Sequence, residues 1–222
     1  MLFNNNNNIF LESDKERNLY YKVLGGCIFN ELIPSNRLGG IFIEKLMSAY
    51  LRTCYWFKVE NDINVENNLK KLIAEFNDNK LNVTFDFYLY RALECSDRGE
   101  LADVFISGSD SFIAIEVKYS KDYDFNKDIE TNGARILKAS EVYNKLGIQV
   151  LLVTKSKWSN SVKNLNQKQS NYKKLYKYVN ESVNPKVPFI LLLWEDVFDV
   201  ISADNRMDNV CGFLVDKIGI NT

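Results

Sequence analysis

At 222 residues the chain can bury roughly 70% of its unfolded surface in one core, so stability requires neither disulfides nor a structural metal. With 28 basic and 29 acidic residues it is not a polycation that coats nucleic acid, and any such contact must be a local patch. The absence of histidine removes imidazole general bases, Ser-His and Cys-His nucleophile pairs and imidazole metal ligands together, leaving carboxylates, lysines and a hard cation for any chemistry.

The amino terminus, Met1-Leu2-Phe3 followed by five asparagines, lacks the basic and apolar regions of a secretory signal. The longest strongly apolar run, Phe189 to Trp194, is far short of a membrane span. Cys27, Cys54, Cys95 and Cys211 lack the close spacing of a zinc knuckle and read as reduced thiols. These features lead us to expect a cytoplasmic, non-membrane protein of one domain over 1–222. Its parts would be a helical extension at 1–37, a core at 38–154, and a carboxy-terminal part at 155–222 with a basic helix, a strand and a helix.

Periodicity predicts helices over 19–33 and 38–52, the second with Leu38, Phe42, Leu46 and Ala49 on one stripe, and a weaker helix over 65–77. Val83 to Glu94 reads as a strand. The apolar run Leu101 to Ile106, the turn-rich Ser107-Gly108-Ser109-Asp110-Ser111 and the strand that follows read as a hairpin. A helix is expected from about Ile129 to Leu146, with Ile136, Ala139, Tyr143 and Leu146 as its buried stripe and Gly147 as its stop. Gln149 to Thr154 and Pro188 to Trp194 read as buried strands, 164–181 as a helix and Glu195 to Ser202 as a short helix.

Side chains two apart on a strand share a face, so Ile113, Ile115, Val117 and Tyr119 form one face while Ala114, Glu116 and Lys118 form the other, polar one. In the hairpin, Asp103 approaches Glu116 from the neighbouring strand. Two carboxylates and an ammonium can hold a divalent metal and stabilise a phosphate. The bare acidic-x-Lys pattern is weak, since composition alone yields about three matches. Of the two present, Asp78-Asn79-Lys80 lies in a polar stretch, whereas Glu116-Val117-Lys118 interrupts an apolar strand, where charges are costly unless paired or metal-bound. The plain alternative is a Glu/Lys pair on a solvated face of an antiparallel sheet.

A helix, three meandering strands, a crossover helix and a further strand make a mixed α/β arrangement with a central sheet flanked by helices. With Asp103, Glu116 and Lys118, that order resembles the restriction-endonuclease-like αβββαβ core of the PD-(D/E)XK nuclease superfamily over roughly residues 38 to 154. The proline usual before the Asp is Ala102 here. Gly40-Ile41-Phe42-Ile43-Glu44 is similar to the glycine and helix glutamate that open archaeal Holliday-junction resolvases. The resemblance implies phosphodiester cleavage dependent on Mg²⁺, with Mn²⁺ able to substitute. Asp103 and Glu116 are then the metal ligands, the Val117 carbonyl a further ligand, and Lys118 the group that orients or deprotonates the attacking water. Glu44, on a narrow polar side of its helix, points either into that site or to solvent.

Between positions 155 and 180 the chain carries Lys155, Lys157, Lys163, Lys168, Lys173, Lys174 and Lys177 and no acidic residue, with Trp158, Tyr172, Tyr176 and Tyr178 interspersed. That pattern suits phosphate contacts with occasional base stacking. A solvated helix with core-facing tyrosines is the alternative. Arg135 and Lys138 are weaker candidates for substrate contact. The substrate implied is nucleic acid, DNA before RNA, in restriction, phage defence or DNA processing, with a homodimer or a partner protein supplying recognition. An inactive binding or assembly subunit, or an RNA-directed toxin-like nuclease, is the competing expectation.

Overall fold

The computed structural model describes residues 21–29, 38–88, 100–118, 125–154 and 187–220. After an amino-terminal π-type helix, Tyr21–Ile28, come α1 (Leu38–Phe57), α2 (Ile63–Asn77), β1 (Asn82–Tyr88), β2 (Glu100–Ser107), β3 (Ser111–Val117) and α3 (Phe125–Tyr143). Then follow β4 (Leu146–Val153), β5 (Phe189–Leu193), α4 (Trp194–Ile201), a single 3₁₀ turn and α5 (Asp208–Ile218). Lysines 155 to 177 and Cys95 lie outside the described residues. Among those described, no helix is long and apolar enough to cross a membrane.

The strands form one open mixed sheet in the order β1-β2-β3-β4-β5. β1, β2 and β3 pair antiparallel as a meander, and β3, β4 and β5 pair parallel. A parallel pair needs a crossover, and α3 provides the one from β3 to β4. Alternation along the strands sends Val104, Ile106, Ile113, Ile115, Val117, Ile148, Val150, Leu152, Ile190 and Leu192 into one large core with α1, α2, α4 and α5. The other face carries Phe105, Phe112 and Ala114, packed with Ile136 and Ala139 of α3. The Ala114 side of β3 is therefore not a solvated polar face: Phe112 and Ala114 are fully buried. Helices cover both faces because a parallel crossover lays its helix on the sheet.

The β2–β3 turn is held from two directions. On one side Glu75 of α2 accepts the Ser109 N–H at 3.0 Å, and Lys71 pairs with Asp110. On the other, Lys145 donates to the Gly108 carbonyl at 2.6 Å and the Leu146 N–H donates to the Asp110 carbonyl at 2.9 Å. Gly108 suits this crowding, since a Cβ there would come within 2.6 Å of Leu72. At the opposite end of the sheet the outer edge of β5 is closed by α1: Leu191 donates its N–H to Thr53 Oγ1 at 3.0 Å, and Arg52 donates to the Leu191 carbonyl at 3.3 Å. An exposed edge that would template another strand is thereby removed.

Several boundaries differ from the expectation. α1 runs five residues beyond position 52 and stops where Lys58 adopts φ 54°, with the Val59 N–H returning to the Cys54 carbonyl at 3.0 Å. α3 ends at Tyr143 because Asn144 takes φ 50°, so Gly147 is not its stop. Gly147 instead sits inside β4, where a Cβ would meet Ile136 at 2.6 Å and Phe112 at 2.7 Å. Cys27 and Cys54 are buried, and burial pushes the Cys27 thiol from its ordinary 9.0 up to about 12, which makes it a packing residue rather than a nucleophile.

Candidate active site

The ladder between β2 and β3 runs as far as the Val104–Ile115 pair, and Asp103 and Glu116 are the next residues beyond it on the two strands. The Lys118 N–H donates to the Leu152 carbonyl on β4 at 2.9 Å, so by alternation the Val117 N–H faces β2. There it donates to Asp103 Oδ2 at 2.6 Å. A carboxylate thus stands inside the strand pair, at the carboxyl end of β3, which is where open α/β sheets place their ligands.

Glu116 and Lys118 share the α3 side of β3. Lys118 Nζ lies 2.6 Å from Glu116 Oε1, with side-chain exposures of 16% and 19%. The other Acidic-x-Lys pair behaves differently. Asp78-Asn79-Lys80 is the exposed carboxy-terminal turn of α2, its ion pair exposed 67% at the lysine and 59% at the aspartate. Exposed pairs of that kind are worth little, whereas charges withdrawn from water are costly unless well paired. Burial separates two matches that the pattern alone does not.

Asn132 of α3 was not expected. It is 7% exposed and donates from Nδ2 to Glu116 Oε2 at 3.0 Å, while its Oδ1 accepts from Arg135 Nη1 at 3.3 Å. Both Glu116 oxygens therefore carry a partner. The signal available in the sequence was an amide at the stripe position one turn before Ile136 and Ala139, where an apolar residue belongs.

Arg135 is half-buried beside Asn132, whereas Lys138 is exposed on α3. Glu44 is exposed on α1, with its carbonyl 3.5 Å from the Ser48 hydroxyl. Among the described residues no group of three His, Cys, Asp or Glu side chains is arranged to hold a metal ion. The acidic set brought together is Asp103 and Glu116. As a donor set it fits Mg²⁺, which takes hard oxygen ligands and is usually held by one or two carboxylates plus water and substrate phosphate. Compared with known proteins, the chain matches no family model, no curated protein and no solved structure.

Proposed function

We propose that this chain is a Mg²⁺-dependent nuclease of the PD-(D/E)XK type, acting on DNA in preference to RNA. The observation that carries the reading is the partly buried Lys118–Glu116 pair at 2.6 Å, beside an Asp103 that accepts the N–H of Val117 between them. The strand order 1-2-3-4-5, with an antiparallel meander leading into a parallel crossover, supports the restriction-endonuclease-like core.

Asp103 and Glu116 would hold the ion, with the Val117 carbonyl as the further ligand the resemblance implies. When bound, Mg²⁺ supplies charge stabilisation at the phosphate and lowers the pKa of a water. Lys118 orients or deprotonates the attacking water and balances charge as the phosphorus becomes pentavalent. Arg135, beside the site on α3, and the lysines between 155 and 177 hold the substrate backbone.

The test is incubation of the purified protein with supercoiled plasmid, linear duplex, single-stranded DNA and RNA in Mg²⁺, Mn²⁺ or EDTA. Cleavage of DNA that EDTA abolishes is expected. Binding without cleavage under every metal condition would instead make the chain a nucleic-acid-binding subunit, and cleavage confined to RNA would move the substrate class.

A further inference from the structure

Asn132 occupies a position that packing alone would fill with an apolar side chain. Its neighbours on the stripe, Ile136 and Ala139, are fully buried against the sheet. Burying an amide costs free energy unless its groups are hydrogen-bonded, and both sides of this one are engaged. Arg135 fixes which way the amide turns: a guanidinium only donates, so it selects Oδ1 and leaves Nδ2 aimed at Glu116 Oε2. Glu116 is a flexible side chain near the end of its strand, yet Asn132 on Oε2 and Lys118 on Oε1 set its carboxylate from both sides.

We infer that Asn132 is a positioning residue for the Glu116 carboxylate, locked in its sense by Arg135, and that it pre-orients Glu116 for a divalent cation. The inference rests on the proposed function and extends it to a residue outside the Asp-Glu-Lys set. Such outer partners hold a ligand in one rotamer, and losing one typically weakens metal affinity by about 10–100-fold.

The experiment is a titration of the full chain with Mn²⁺, followed by the electron paramagnetic resonance signal of the free ion, without nucleic acid. Wild type is compared with Asn132→Leu, Asn132→Ala, Arg135→Met and Glu116→Ala, each checked by circular dichroism and thermal melting. Asn132→Leu suits the apolar stripe but leaves Glu116 Oε2 without its donor, so it is expected to stay folded at the assay temperature with at most a modest drop in melting temperature. Its Mn²⁺ affinity should nevertheless fall about 10–100-fold, a split that a purely structural amide would not produce. Arg135→Met should weaken binding in the same direction, which keeps the inference testable even where an Asn132 variant does not fold. Wild-type affinity in a folded Asn132 variant, or in Arg135→Met, overturns the positioning role while leaving the proposed function standing. Failure of the wild-type protein to bind Mn²⁺ overturns both.

Discussion

Asp103 accepts the backbone N–H of Val117 at 2.6 Å, so the side chain assigned to the metal also closes the strand pair on which Glu116 sits. From sequence, removing either carboxylate should relieve repulsion and leave the melting temperature unchanged or higher. The structure alters that balance for Asp103, because its loss removes a charged acceptor from the Val117 N–H. Hydrogen bonds to charged groups contribute about 1.5–3 kcal/mol.

Asp103→Ala should therefore abolish cleavage and lower stability by about 1–2 kcal/mol in urea denaturation. Asp103→Asn keeps an acceptor for Val117 and should recover most of that stability while remaining inactive. Cleavage by Asp103→Ala at the wild-type rate would remove Asp103 from the site.

Lys118 separates chemistry from binding. Lys118→Ala should lower the cleavage rate by about 10²–10⁴-fold, with DNA affinity nearly unchanged. A loss of affinity in proportion to rate would make Lys118 one more phosphate contact.

Arg52 tests the sheet edge. It pairs with Asp196 through Nη1 at 2.8 Å and through Nη2, and Asp196 also accepts the Leu193 N–H at 2.9 Å at the start of α4. Arg52→Ala leaves the buried Asp196 without its cation and the Leu191 carbonyl without that donor. A loss of about 2–3 kcal/mol in denaturant unfolding is expected, with no direct effect on metal binding. A loss below the precision of that measurement would show the edge to be held without Arg52, by packing and the Thr53 bond to Leu191.

The lysine block between 155 and 177 lies outside the described residues, so its test is electrostatic. Changing Lys163, Lys168, Lys173 and Lys174 together to Gln should reduce the slope of log affinity against log salt by roughly two to four units, at about 0.9 per phosphate contact. Mn²⁺ binding at Asp103 and Glu116 should be retained. An unchanged slope returns the segment to a solvated helix.

The meander and crossover were legible because period-two runs and a Gly- and Ser-rich turn are local signals, and in the hairpin through Ser107–Ser111 Asp103 accepts the N–H of Val117, the residue after Glu116. What was not legible depended on neighbours distant in sequence. The stop of α3 fell at Asn144 because an asparagine can take a positive φ as a glycine does, which left Gly147 to serve close packing in β4. The covered face of β3 follows from where α3 lies, and strand alternation alone cannot reveal that. α5 was not anticipated at all, and for Asn132 the amide on an apolar stripe gained a meaning only through its contact with Glu116.

The most direct measurement is the initial rate of supercoiled-plasmid cleavage by wild type, Asp103→Ala and Glu116→Ala, each in Mg²⁺ and in EDTA. The account predicts cleavage by wild type in Mg²⁺ alone, with both variants inactive though folded. Cleavage that persists in EDTA, or in either folded variant, would contradict it.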